Sequence, residues 1–143
     1  MNHLVKVRYL NSVDGDQTCH EIITHADFSG NEDDYTLVYH EDVGDVCAQT
    51  IIRVLDGECV TVRRIAEMQT DMVIEVGKKH ISEHKLPFGT FNLEVIGSQV
   101  KSLFSEDCAE LNFAYTTYQD NEPVSKAEFQ ITVKKKGQHS AKL

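Results

Sequence analysis

Between closely spaced turn signals, the apolar residues of this chain recur at every second position. Tyr35, Leu37 and Tyr39 share one face of an extended segment, and so do Val46, Ala48, Thr50, Ile52 and Val54. The same parity runs through Val60, Val62 and Arg64, through Met72, Ile74 and Val76, and through Phe91, Leu93 and Val95. It returns in Leu111, Phe113 and Tyr115 and again in Phe129, Ile131 and Val133. A period of two sends alternate side chains to opposite faces, so each segment is a strand with one dry and one wet face. Between them stand Asp14-Gly15, Ser29-Gly30-Asn31, Val43-Gly44-Asp45, Asp56-Gly57, Gly77-Lys78-Lys79, Gly97-Ser98, Glu106-Asp107 and Asp120-Asn121-Glu122-Pro123. Asp56-Gly57 and Gly97-Ser98 are the sharpest, because a two-residue hairpin loop needs positive φ and glycine supplies it.

No stretch carries a sustained helical stripe. Arg64 to Met72 contains Ile65, Ala66 and Met68 but no cap and no i, i+3, i+4, i+7 repeat, so a short irregular turn is expected there. Sequential strands with one apolar face and tight connections form a two-sheet sandwich or a closed barrel. Closure removes exposed edges, so the expected fold is all-β, a single antiparallel up-and-down barrel of about eight to ten strands. Residues 1–143 form one domain, with no repeat, linker or low-complexity segment. A barrel of that size either fills its interior with side chains or holds one small ligand.

Composition narrows the partners. Hydrophobic residues make up 41% and charged residues 26%, ordinary values for a chain that folds. The formal charge is -9, from 14 Lys and Arg against 23 Asp and Glu, which repels a nucleic-acid backbone or an anionic membrane surface. Neither nucleic acid nor membrane is an expected partner. Lys134, Lys135, Lys136 and Lys142 form a basic cluster best read as a solvated end, and Ala141-Lys142-Leu143 only loosely resembles a peroxisomal address. Cys19, Cys47, Cys59 and Cys108 are separated by 28, 12 and 49 positions, without a C-x-x-C pair or a signal peptide. That usage predicts free thiols in an untargeted cytoplasmic protein. Nothing in the pattern specifies an oligomeric state.

The seven histidines do not form a metal site on spacing. His80 and His84 share a sheet face but stand about 13 Å apart on extended chain. His20 and His25 fall on opposite faces, and His3 and His139 lie near the ends, so solvated surface histidines are expected. The acidic runs Glu32-Asp33-Asp34, Glu41-Asp42, Glu58, Glu106-Asp107 and Asp120 lack the alternating ligands of a calcium loop and read as hairpin ends. Cys47, Cys59 and Cys108 fall opposite the apolar parity and lack a basic partner, which predicts unreactive thiols. No G-x-S-x-G, phosphate loop or H-E-x-x-H occurs, so hydrolase and nucleotide readings have no anchor; no cofactor and no metal are expected, and the balance leans against an enzyme without deciding it.

The polar content of the dry faces is the exception. Arg64, Thr50, Tyr39 and Glu41 share interior parity, and a buried guanidinium needs carboxylate or hydroxyl partners. The cluster is the candidate site, and an internal Arg64–Glu41 plug is the structural alternative.

The stretch YHEDVGDVCAQTIIRVLDGECVTVRRIAEMQTDMVIEVG from Tyr39 to Gly77, with HKLPFGTFNLEV from His84 to Val95, resembles the YwiB-like bacterial family of unknown function. The features that carry it are Tyr39-x-Glu41, Thr50, Arg64, Met72 and the Phe88-Gly89 turn. Arg64-Ile65-Ala66 stands where relatives commonly show Arg-x-Gly, and His84 where they tend to have Tyr. The resemblance implies a calycin-like, lipocalin-like β-barrel over nearly the whole chain, and it implies no activity.

Two functions follow from these readings, with an enzyme whose residues are scattered along the chain as a third. The first is a barrel that binds a small, partly apolar molecule, with Arg64 anchoring an anionic group and Tyr35, Tyr39, Phe91, Phe113, Tyr115 and Phe129 as walls. The second is a filled-core interaction module that works through its outer surface.

Overall fold

Ten strands follow one another, each hydrogen-bonded antiparallel to the next. They are β1 (His3–Val13), β2 (Asp16–Asn31), β3 (Asp34–Val43), β4 (Val46–Leu55), β5 (Cys59–Ile65), β6 (Gln69–Glu75), β7 (Lys79–Leu86), β8 (Gly89–Phe104), β9 (Cys108–Gln119) and β10 (Glu122–Lys135). The structure is a computed structural model that describes residues 3–105 and 107–136, without the side chain of residue 43. Glu106, His139, Lys142 and the Ala141–Leu143 ending named above therefore lie outside the described residues. No helix occurs among the described residues.

Turn chemistry sets the hairpins. Asp14 and Gly15 adopt φ of 51° and 82°, and Asp120 and Asn121 adopt 52° and 65°. Two successive positive φ values give the type of turn whose twist matches that of the flanking strands. Between Asn31 and Asp34 the side chain does the work: Asn31 Oδ1 accepts from the backbone N–H groups of Asp33 and Asp34 at 2.9 and 3.1 Å. The sheet closes where β1 meets β10, in a ladder from His3↔Lys135 to Ser12↔Lys126. This is the expected antiparallel up-and-down barrel.

Two ladders are short, and both bear on the candidate site. The β2–β3 ladder stops at Ala26↔Tyr39, so the rest of β2 pairs only with β1 and the rest of β3 only with β4. The β6–β7 ladder holds only Gln69↔Lys85, Thr70↔His84 and Asp71↔Glu83. Beyond it the tip of β6 crosses to β8, where Val76 bridges Gly97 and the Gly77 N–H donates to the Gly97 carbonyl at 2.9 Å. That crossing corrects two expectations. Gly97-Ser98 is not a turn; β8 runs through it with an irregularity between Gly97 and Gln99. Glycine serves close approach here, since a Cβ on Gly97 would lie 2.6 Å from the Glu75 carbonyl oxygen. Val76, expected on the dry face, is drawn out of the strand and exposed.

Strands β1, β2 and β7 are absent from the alternating runs read in the sequence. The inward positions of β2 and β7 include His20, Thr24, Ser82 and His84, which break apolar alternation. His84 is buried and His80 half-buried against Glu75, at 2.9 Å, so these two correct the expectation of solvated histidines.

The interior has two halves. Val5, Leu37, Val54, Val60, Ile74, Val95 and Val133 fill the end that carries the β2–β3, β4–β5, β6–β7 and β8–β9 connections. The opposite end, carrying the other five turns, points Tyr39, Glu41, Thr50, Arg64, Thr70, Ser82, His84 and Thr117 inward.

Candidate functional site

Register brings the site together. Tyr39 on β3 pairs with Thr50 on β4, and Thr50 pairs with Arg64 on β5, so three inward side chains stand abreast. Glu41, two residues beyond Tyr39, shares its face. Arg64 Nη1 donates to Glu41 Oε1 at 2.7 Å, and Glu41 Oε2 lies 3.1 Å from His20 Nε2 on β2. The His20–Glu41 contact therefore spans the place where the β2–β3 ladder has ended. The Glu41 side chain is 11% exposed and that of Arg64 37%, so Arg64 keeps part of its guanidinium open to solvent.

The electrostatics follow from this geometry. Burial pushes the Glu41 carboxyl up, but hydrogen bonds from Arg64 and His20 outweigh it and hold the group below its ordinary value. Burial raises the Tyr39 phenol to about 12, with the Thr50 side chain close enough to temper the effect. That approach falls short of hydrogen-bond geometry, because Thr50 Oγ1 is fully buried with no hydrogen-bond partner. A buried hydroxyl without a partner is unusual and calls for an explanation.

Tyr9 on β1 belongs to the same cluster, although it was not among the candidates. Its hydroxyl faces that of Tyr115 and feels the Arg64 charge; burial raises the pKa of both phenols. Its parity with Val5 and Val7 is the sequence signal that could have found it.

The expected aromatic walls divide. Phe113 stacks on Phe129 at 4.8 Å between ring centroids, Phe129 meets Tyr9 at 4.7 Å, and Tyr115 lies 6.5 Å from both phenylalanines. This group packs the barrel beneath the polar cluster. Phe91 lies flat on His84 at 4.8 Å, one face covered and the residue 43% exposed. Tyr35 stands apart at the apolar end, bonded to Ser102 Oγ at 2.5 Å and packed on Phe28 and Phe104.

A second polar chain adjoins the site. Ser82 Oγ lies 2.7 Å from His84 Nε2, and His84 Nδ1 lies 3.4 Å from Thr70 Oγ1. Burial lowers the His84 pKa and keeps the ring neutral, suited to accept from one hydroxyl and donate to the other. A serine, a histidine and an orienting hydroxyl have the outline of a nucleophile relay. Ser82 and Thr70 are each engaged by the His84 ring, so the chain satisfies its own buried polar groups and leaves no hydroxyl over for a bound molecule.

Two hollows lie away from the cluster. One of about 660 Å³ runs along the outside of β3 to β8, past Arg53, Arg63, Val73 and Ile81, and reaches inward to Met72 beside the short β6–β7 ladder. The other, about 350 Å³, lies at the apolar end between His3, Phe28, Asn31 and Phe104. Among the described residues no three His, Cys, Asp or Glu side chains could hold a metal ion together, and no helix is long and apolar enough to cross a membrane. All four cysteines are unpaired, with Cys19, Cys47 and Cys108 exposed.

No curated protein matches this chain. The crystal structure of the YwiB protein from Bacillus subtilis superimposes with a TM-score of 0.80 at 20% identity, covering 93% of this chain and 90% of that one. At that identity the likeness speaks for the shared barrel. A family described as a domain of unknown function, DUF1934, matches residues 5–131. With the match spanning nearly the whole barrel, the chain belongs to this YwiB-like family.

Proposed function

We propose that the protein binds a small, partly apolar molecule at the polar end of its barrel, with Arg64 anchoring an anionic group. The observation that carries this reading is the Thr50 hydroxyl, buried between Tyr39 and a partly open Arg64 and without a partner of its own. A core built only for stability gains nothing from an orphaned donor, whereas a binding site uses one. The calycin-like barrel is consistent with such a role. The four unpaired cysteines suit a reducing compartment such as the bacterial cytoplasm.

Mass spectrometry under native conditions tests the reading, with Arg64→Met alone and together with Glu41→Leu. The expected result is a co-purified or added small molecule held by the parent and lost from both variants, with the fold intact. If the double variant melts no lower than the parent and no molecule distinguishes the two, the pair is a structural plug. The molecule is then the filled-core interaction module, for which the packed aromatic group and the outer hollow along β3 to β8 speak.

A further inference from the structure

Resting on the reading that Arg64 anchors the ligand, we infer that the ligand is a zwitterion. It is an α-amino acid with an apolar side chain, whose carboxylate takes Arg64 while its ammonium takes Glu41.

Arg64 already has a counter-ion, since its Nη1 sits 2.7 Å from a Glu41 carboxylate that is only 11% exposed. A simple anion on the open side of the guanidinium would set two carboxylates against one cation, leaving the enclosed Glu41 with a shared counter-ion and His20. Stranding a buried charge is costly, and the cost falls on binding. A ligand that carries its own cation next to its anion avoids it: one ion pair within the protein becomes two between protein and ligand.

The field at this end acts in the same direction. The turns and strand ends that surround the cluster carry Asp14, Asp42, Asp45, Glu67 and Asp120 against Lys85, which Glu83 already engages at 3.2 Å, and no Lys or Arg lies in the turns themselves. On a chain of formal charge -9, a lone carboxylate approaches against repulsion. A neutral zwitterion does not, and its ammonium is drawn in.

The Thr50 hydroxyl supplies the third contact. It lies between Tyr39 and Arg64 on the inner face, fully buried and unpartnered, where a carboxylate on Arg64 would receive its proton. The ligand's apolar group cannot go deeper, because Phe113 and Phe129 close the interior. Phe91, on the row of cross-strand pairs that runs from Arg64 through Thr70 and His84, leaves ring surface open for it.

The test is a calorimetric titration of the intact protein with three matched compounds: L-phenylalanine, hydrocinnamate, which lacks the ammonium, and phenethylamine, which lacks the carboxylate. L-Phenylalanine is expected to bind at least about tenfold tighter than either. In Glu41→Gln the advantage over hydrocinnamate disappears. Side-chain NMR signals of Arg64 and Glu41 in the unaltered protein shift together only with the zwitterion, a readout that does not depend on any variant folding. Hydrocinnamate binding as tightly as the amino acid overturns the zwitterion and leaves the Arg64 anchor standing. Phenethylamine binding as tightly overturns both. Failure of all three to bind overturns the zwitterion, and the native mass spectrometry of Arg64→Met then decides the anchor separately.

Discussion

The two ends of this barrel are made from the same strands and the same alternation, yet they hold opposite chemistry. At the apolar end the inward positions of β3, β4 and β5 read Leu37, Val54 and Val60, all buried. A few positions along the same strands they read Glu41, Thr50 and Arg64, with a hydroxyl left unpartnered and a guanidinium partly in solvent. Burial at the first end is favourable with no directional requirement. At the second each polar group needs a partner, and the sheet supplies fewer partners where the β2–β3 ladder ends. One end carries the stability; the other retains groups that stability does not require.

The comparison breaks most visibly in the aromatic packing that separates the two ends. Phe113→Ala removes a fully buried ring stacked on Phe129. It is expected to cost about 3–5 kcal/mol in urea denaturation, the range for emptying a packed aromatic site. A loss under about 1 kcal/mol would mean that the interior collapses around the gap and is not a filled floor. Gly97→Ala comes next, because its Cβ would meet backbone, which cannot swing aside as a side chain can. A loss of about 1–3 kcal/mol is expected. An unchanged melting temperature would show that β6 does not cross tightly to β8.

At the polar end the sign should reverse. Thr50→Val removes the orphaned hydroxyl at nearly constant shape and is expected to stabilise the free protein by about 1 kcal/mol. The same variant should weaken any ligand held by Arg64. A destabilised Thr50→Val would mean that the hydroxyl has a partner after all, and the contrast between the ends would shrink.

The smallest effect is one of pH. Burial holds the His84 pKa below its ordinary 6.5, so between those two values the unfolded chain binds a proton that the folded chain resists. The stability from a neutral His84 is complete above the unfolded value and drains away as pH falls through this window. Denaturation curves at about pH 7.5 and about pH 5.5 should show a larger loss in the parent than in His84→Gln, by under about 1 kcal/mol. Equal losses would place the His84 ring in contact with water.

Alternation alone identified the inward faces of β3 to β6 and of β8 to β10, and parity with Val60 and Val62 directed Arg64 inward toward Glu41 or a tyrosine hydroxyl, of which Glu41 is its partner. What it could not convey is height within the barrel. Tyr35 and Tyr39 share a face, but four residues along a strand is about 13 Å, and only the stagger between strands shows that they serve opposite ends. Ser82 and His84 stayed hidden for a different reason. Their strand turns polar groups inward and satisfies them with one another, so no apolar rhythm marks it. Gly97 was visible as a glycine but was read as a bend, because the sequence does not reveal a strand crossing two positions over.

The seam between β1 and β10 bears on how the molecule comes into being. Ten cross-strand pairs join residues 3–12 to residues 126–135, the two most distant strands in the chain. During synthesis every earlier hairpin can form as it emerges, but the cylinder stays an open, curling sheet until the last strand arrives. For that interval β1 is an unprotected edge, free to pair with another nascent chain. Contacts this far apart in sequence are also the slowest to form, because the whole intervening loop must be ordered first. The final zipping of β10 onto β1 is thus the step at which the newborn chain either closes into a barrel or aggregates.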